Sequence, residues 1–149
     1  MACRFDKKYK NFLQSLNGLE EVLSKGCKNL SKIERKAICY DFGGIQENSW
    51  KILKYILEYI DGVDGLSVGS KKVYRTAAEI GLIDNDDCNI LIETLNLRNN
   101  LLHEYEYNNL ELNCFKINSY LYVFKKLNEK FIEIRNIYKD YFEKDKIDE

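Results

Sequence analysis

The chain has 149 residues, of which 45% are hydrophobic and 32% are charged, and it contains no proline. This length and composition are ordinary for a globular protein and lack the signature of disorder, so we expect residues 1–149 to form one domain with its own core. No run of eighteen apolar residues occurs, which excludes a membrane-spanning helix. Because proline is the strongest helix breaker, its absence favours an all-α fold.

Charge is distributed unevenly along the chain. The net charge of −1 lacks the basic excess of a protein that grips nucleic acid mainly through its phosphates. Residues 1–40, however, contain nine Lys or Arg against four Asp or Glu, which gives a local charge of +5. This segment is the best candidate for a basic binding surface, although a solvated helix face is the commoner explanation of such a pattern.

The five cysteines are odd in number and form no Cys-x-x-Cys pair, and the N-terminus does not resemble a secretory signal peptide. We therefore expect reduced thiols and a cytoplasmic protein. The chain has a single histidine, His103, and its cysteines are scattered, so no cluster has the spacing of metal ligands. Neither a metal ion nor a cofactor is expected.

Two amphipathic helices are predicted in the N-terminal half. Apolar residues recur every three or four positions from Phe5 to Leu23, the period of one helix face. Gly26 follows at a position where the end of a helix favours positive φ. Ser31 and Glu34 then have the spacing of a capping box, which predicts that a second helix begins there.

The second helix can continue to about Ile60 and is interrupted in its middle by Gly43 and Gly44. Each glycine costs about 1 kcal/mol relative to alanine in a helix. The pair therefore predicts a kink or the close approach of another backbone. Residues 61–69, which contain three glycines, are predicted to form a long loop.

Three further helices are predicted after this loop. The third runs from Ser70 to Ile80, the fourth is capped by Asp84, and the fifth begins near Asn109. The fifth carries an apolar heptad stripe of Tyr120, Phe124, Leu127, Phe131, Ile134, Tyr138 and Tyr141. Such a stripe is more often intramolecular core than a coiled-coil seam.

A polar segment, RNNLLHEY at residues 98–105, ends the fourth helix. Since each helical residue advances by about 100°, Asn99 and His103 lie side by side, and Arg98 and Tyr105 share a second stripe. The leucines between them can face the core. Arg98 is about 140° around the helix from His103, but its long stem can swing the guanidinium toward the imidazole.

This segment resembles the Arg-Asn, His and Tyr motif of HepT-like proteins in the HEPN superfamily. A second segment, ENSWK at residues 47–51, is similar to the Glu-x-x-Trp-Lys pattern on the long second helix of that family. The two segments occur in the family's order, and the resemblance covers most of the chain. It implies an all-α, five-helix up-and-down bundle that forms a homodimer, with the motifs of two protomers meeting in one cleft.

The resemblance further implies a metal-independent endoribonuclease toxin that a cognate nucleotidyltransferase antitoxin neutralises. Cleavage of RNA by its ribose 2′-hydroxyl requires a proton acceptor, a proton donor and positive charge near the phosphate. His103 is suited to acid–base work near neutral pH, and Arg98 has a phosphate-matching geometry. Asn99 could orient the imidazole or the phosphate, and Glu47 could position Arg98. Because one imidazole cannot easily be acid and base together, a homodimer would supply two.

Tyr105 matches the terminal tyrosine of the motif, which implies that the antitoxin modifies its hydroxyl by AMPylation. Tyr107 carries the same hydroxyl two residues further on and is the alternative position. Two other functions stay open. One is a non-catalytic subunit that presents a substrate to a nucleotidyltransferase, and the other is a helical interaction protein without any link to nucleotides.

Overall fold

The computed structural model describes residues 3–64, 69–103 and 110–145, and the side chains of residues 102, 103, 110 and 111 lie outside this description. Its helices are α1 (Arg4–Leu23), α2 (Lys32–Tyr59), α3 (Ser70–Glu79), α4 (Asn85–His103), α5 (Leu110–Ile137) and α6 (Lys139–Lys144). No β-strand occurs within these ranges, which confirms the all-α prediction. Each helix packs against the next one along the chain, as in an up-and-down bundle. None of the described helices is both long and apolar enough to span a membrane.

The first two helices begin and end close to where the sequence predicts. Gly26 has a φ of 85°, so its position after α1 uses the left-handed freedom of glycine. At the start of α2, Ser31 Oγ accepts a hydrogen bond from the amide of Glu34, and Glu34 Oε1 accepts one from the amide of Ser31, both at 3.1 Å. The predicted capping box is therefore present.

α2 is the central helix of the bundle, because it packs against α1, α3, α4 and α5. Its buried face consists of Ile38, Phe42, Ile45, Gln46, Ser49, Ile52, Leu53, Ile56 and Leu57. Phe42 meets Phe124 of α5 edge to face, with ring centroids 6.0 Å apart. These contacts hold α2 in place along its whole length, including the turn that carries Gly43 and Gly44.

The predicted fifth helix is divided in two, which corrects the expectation of five helices. α5 ends at Ile137, and Tyr138 precedes the short helix α6. The turn brings Phe142 of α6 back against the bundle, where its ring centroid lies 4.5 Å from that of Phe5. The apolar stripe is buried from Phe124 through Ile134, so it forms intramolecular core, whereas Tyr141 is exposed.

The cysteines also differ from the prediction of five reduced thiols. Cys27, in a short 3₁₀ turn after α1 (Cys27–Asn29), forms a disulfide with Cys114 near the start of α5. The Cα atoms lie 5.8 Å apart, a separation that suits a disulfide. Since 87 positions separate the two cysteines in the sequence, only the packing of this turn against α5 reveals the pair. Cys3, Cys39 and Cys88 are free thiols.

Candidate functional site

A groove of about 510 Å³ lies where α1, α2 and α4 meet. We call it the glycine groove, because Gly43 and Gly44 of α2 lie in it between the side chains of α1 and α4. Its lining residues are Asn11, Gln14, Ser15, Cys39, Tyr40, Gly43, Gly44, Glu47, Asn48, Arg98 and Leu101. Two of the predicted site residues, Arg98 and Glu47, are among them.

The two glycines differ in the space around them. A Cβ on Gly44 would lie 3.0 Å from Ser15 Oγ, so the Ser15 side chain would have to shift to admit it. A Cβ on Gly43 would lie 3.9 Å from Arg98 Nε, which is ordinary contact distance. Only Gly44 therefore marks a close approach, and the approaching atom belongs to a side chain, whereas the sequence predicts a kink or another backbone.

Arg98 is held at the groove by an acidic residue of α2. Its Nη2 atom lies 3.4 Å from Glu47 Oε2, and the arginine side chain is 26% exposed. Lys51 Nζ lies 2.9 Å from the other carboxylate oxygen of Glu47. The Lys51 hydrogen bond and the nearby Arg98 charge hold the pKa of Glu47 below its usual range, although partial burial opposes them. Glu47 is therefore an anion that contacts two cations, of which Arg98 lines the glycine groove.

The turn of α2 that carries Glu47 forms two hydrogen bonds with α3. Gln46 Nε2 donates to the hydroxyl of Tyr74 at 3.2 Å, and that hydroxyl donates to the backbone carbonyl of Gln46 at 3.3 Å. Both residues are fully buried. Burial raises the pKa of Tyr74, so its phenol stays neutral and can donate. This pair of hydrogen bonds fixes the backbone next to Glu47.

The structure brings some predicted site residues together and leaves others undescribed. Glu47 and Arg98 are in contact, whereas Asn99 is exposed on the neighbouring position of α4. His103 is the last residue of α4, and its side chain lies outside the described part of the chain. Tyr105 also lies outside the described residues. The catalytic roles of Arg98, Asn99 and His103, the positioning role of Glu47 and the modification of Tyr105 stay predictions.

The α1 wall of the glycine groove is not predicted from the sequence. Asn11, Gln14 and Ser15 line this wall, together with Asn48 of α2. A signal was present, because Asn11, Gln14, Ser15 and Gly18 are spaced as one polar face of a helix. Nothing in that spacing, however, indicates which other helix this face meets.

The glycine groove contains charged side chains, but its described residues form no cluster of metal ligands. No group of three or more His, Cys, Asp or Glu side chains among the described residues is placed to hold a metal ion. Arg98 is the cation that the glycine groove offers to an anionic ligand, with a planar guanidinium that suits phosphate oxygens.

The fold is similar to the folds of two solved structures. One is a Thermus thermophilus protein with 22% identity and a TM-score of 0.69, for which the match covers 80% of this chain and 98% of that chain. The other is a tri-AMPylated Shewanella oneidensis HEPN toxin in complex with an MNT antitoxin. It has 16% identity and a TM-score of 0.73, and the match covers 89% and 99% of the two chains. A comparison with curated proteins finds no match.

The family is defined by the sequence itself. Residues 7–133 match the family described as nucleotidyltransferase substrate binding protein like. This match covers most of the chain and includes both Glu47 and Arg98. The protein therefore belongs to the nucleotidyltransferase substrate binding protein-like family and has a HEPN-type helical fold.

Proposed function

We propose that this protein is a metal-independent endoribonuclease toxin, kept inactive by a cognate nucleotidyltransferase antitoxin in the cytoplasm. The observation that carries the proposal is the placement of Arg98. Its guanidinium lines a groove and lies 3.4 Å from Glu47, and Arg98 precedes His103 by five residues on the same helix. RNA cleavage requires a cation and an acid–base group, and an arginine and a histidine on one helix can supply both.

In the proposed reaction the 2′-hydroxyl of a ribose attacks the adjacent phosphorus. A neutral His103 accepts the hydroxyl proton as the new O–P bond forms. The bond from phosphorus to the 5′-oxygen breaks, and a protonated His103 of a second protomer gives its proton to that oxygen. The products are a 2′,3′-cyclic phosphate and a free 5′-hydroxyl. Arg98 stabilises the charge that develops on the phosphorane oxygens, and Asn99 orients the imidazole or the phosphate.

The homodimer belongs to the proposal, because one imidazole cannot take and give a proton in the same step. His103 lies on α4, and the proposal requires that the His103 residues of two protomers meet in one cleft. Sedimentation at micromolar concentration should find a dimer. A strictly monomeric and active protein would contradict the two-histidine mechanism.

The test is expression of the chain alone, with growth and RNA integrity followed together. We expect the native chain to arrest growth and degrade RNA, the His103→Ala variant to do neither, and a chelator such as EDTA to leave cleavage by purified protein unchanged. Cleavage that EDTA abolishes would indicate a metal-dependent mechanism. Cleavage that persists in His103→Ala would show that another residue is the acid or base.

The family description favours a second function, in which the protein is a non-catalytic subunit that binds a substrate for a nucleotidyltransferase. The two functions differ in the behaviour of the chain on its own. A substrate-binding subunit should be harmless in its native form and in His103→Ala alike, and it should alter the activity of the nucleotidyltransferase. The first function instead requires that only the native chain is toxic.

Regulation by the antitoxin is proposed to act on Tyr105. AMPylation would add a bulky phosphodiester anion two residues after His103, where it would compete with the substrate phosphate for Arg98. Mass spectrometry after co-expression with the nucleotidyltransferase should find the adenylate on Tyr105, and Tyr105→Phe should escape neutralisation while it stays folded and active. An adduct on Tyr107, or neutralisation of Tyr105→Phe, would contradict this assignment.

A further inference from the structure

A second groove continues the glycine groove along α1. It has a volume of about 570 Å³ and is lined by Arg4, Lys7, Lys8, Asn11, Tyr55 and Asp145, and we call it the basic groove. Asn11 lines both grooves, so they meet at one turn of α1. The charge of the N-terminal segment is thus placed beside the groove that contains Arg98.

The positive charge of the basic groove is only partly neutralised by the protein. Its carboxylate, Asp145, accepts a hydrogen bond from the hydroxyl of Tyr55, and it lies 3.4 Å from Arg4 Nε. Lys7 and Lys8 form no ion pair within the described part of the chain. Lys7 is exposed and Lys8 is half-buried on the same turn of α1, and positive charges without a described carboxylate partner suit the phosphates of a nucleic acid backbone.

Tyr40 lies at the other side of the glycine groove and is 83% exposed. A tyrosine ring in water contributes little to folding, since it buries almost no apolar area. Placed on the rim of a groove that contains a cation, it offers a flat surface on which an unpaired base can stack.

Between Tyr40 and the lysines the groove wall presents amides. Asn11, Gln14 and Asn48 each supply a donor and an acceptor, the groups that meet the edges of bases. Gly43 and Gly44 add no side chains of their own to the groove. A cation, an exposed ring and amide groups fit an extended strand better than a duplex, whose bases are already stacked and paired.

We infer that the glycine groove and the basic groove together form a track for single-stranded RNA. In this track the strand runs from Arg98 past Asn11 to Lys7 and Lys8, and one base stacks on Tyr40. The inference rests on the proposed function, because it takes RNA as the substrate class. It adds the path of the strand and names the residues that bind the strand at positions distant from the scissile phosphate.

Binding can be measured apart from cleavage with a 2′-O-methyl RNA of roughly ten nucleotides, a length within the usual range of single-strand sites. This probe lacks the nucleophilic hydroxyl and is not cleaved by the proposed reaction. Fluorescence anisotropy on the full native chain over a series of salt concentrations gives both affinity and salt dependence.

We expect Tyr40→Ala to weaken binding about tenfold, the usual effect of removing one stacking ring, and Tyr40→Phe to stay within about twofold of the native chain. Tyr122→Ala is the matched control, since Tyr122 is 54% exposed and lies on α5 away from both grooves. Equal effects of Tyr40→Ala and Tyr122→Ala would overturn the inference.

A second pair of adjacent lysines provides a control for Lys7 and Lys8 with the same change in net charge. Lys7→Ala/Lys8→Ala should reduce the slope of log affinity against log salt by about 1.4, because each phosphate contact to a single strand contributes about 0.7. Lys71→Ala/Lys72→Ala, an adjacent exposed pair on α3, should leave the slope unchanged. The same change in both double variants would mean that only net charge matters, and the track would be wrong.

Two further measurements separate this inference from the proposed function. If the native chain cleaves ordinary RNA but Tyr40 and the lysines do not affect binding, the track is wrong and the ribonuclease can stand. If binding depends on these residues without any cleavage, the track stands and the ribonuclease fails. If Tyr40→Ala changes the oligomeric state seen by sedimentation, the glycine groove is an interface between copies, which also overturns the track.

Discussion

Two arginine–carboxylate pairs in this protein differ in geometry and in surroundings. Arg135 meets Asp6 with two hydrogen bonds, from Nε at 2.7 Å and from Nη2 at 3.0 Å. Its guanidinium also lies 6.0 Å from the ring centre of Phe142. Arg98 meets Glu47 with one contact of 3.4 Å, and it lines a groove.

The difference lies in how many donors each guanidinium keeps. Two donors of the Arg135 guanidinium bind one carboxylate, so this pair joins α5 to α1 beside a buried aromatic ring. Arg98 makes a single long contact to Glu47, and Glu47 is shared with Lys51. Most donors of Arg98 are thus not used by the described residues, which leaves them available for a phosphate. One pair joins two helices through matched hydrogen bonds, and the other leaves most donors of a groove-lining arginine without a described partner.

The largest expected effect separates the two arginines by activity. Arg98→Ala should reduce RNA cleavage by about 100-fold or more, since it removes a group that stabilises transition-state charge. Arg135→Ala should change cleavage by less than about twofold at temperatures where it is folded. Initial rates on a labelled RNA give both numbers, and similar losses in the two variants would show that Arg98 is no more than structural.

The second effect tests whether Glu47 positions Arg98. Glu47→Gln keeps the size of the side chain but removes its charge, so we expect kcat to fall about tenfold through misplacement of the guanidinium. KM should not rise, because the groove loses a negative charge that repels RNA. A purely structural role predicts a lower melting temperature with kcat unchanged, and Lys51→Ala, which leaves the Arg98 contact intact, is the control.

The third effect concerns stability, for which we expect the Asp6–Arg135 pair to contribute more than the Glu47–Arg98 pair. Asp6→Asn loses the bidentate pair, which we expect to lower the free energy of unfolding by about 1 kcal/mol and the melting temperature by about 2–4 °C. Glu47→Gln should change the free energy of unfolding by less than about 0.5 kcal/mol. Thermal melts of the two variants measure both changes, and a greater loss of stability in Glu47→Gln than in Asp6→Asn would contradict this expectation.

The fourth effect probes the space beside Arg98. Gly43→Ala should raise the free energy of unfolding by about 0.5–1 kcal/mol, since alanine is the better helix former and its Cβ would meet Arg98 Nε at an ordinary 3.9 Å. The added methyl group should nevertheless lower RNA cleavage, because it narrows the groove. A variant that is more stable and fully active would show that the substrate does not use this part of the groove.

The smallest effect is on the pH dependence of stability. The Arg135 hydrogen bonds hold the pKa of Asp6 below its usual range, and burial opposes them. A depressed folded pKa means that the stabilisation is complete above the unfolded pKa of about 3.9 and is lost as pH falls through the folded value. Asp6→Asn should therefore flatten the acid side of the melting-temperature curve. An unchanged slope would mean that Asp6 is not part of the acid transition.

Local patterns in the sequence were sufficient for the helices and for much of the fold. Apolar spacing, capping residues and glycines placed α1, α2, α3 and the start of α4 to within a few residues, and the Ser31–Glu34 capping box formed as expected. These features depend on contacts between residues three or four apart, which the sequence displays directly. The segments 98–105 and 47–51 also pointed to the family by their residues alone.

Only the tertiary structure decided which distant residues meet. The Cys27–Cys114 disulfide, the Ser15 contact at Gly44 and the return of Phe142 to Phe5 each join parts of the chain that no local period connects. The same holds for the polar wall of the glycine groove. A helical period shows that a residue faces inward or outward, but not which helix lies opposite, because that depends on how all the faces of the bundle pack together.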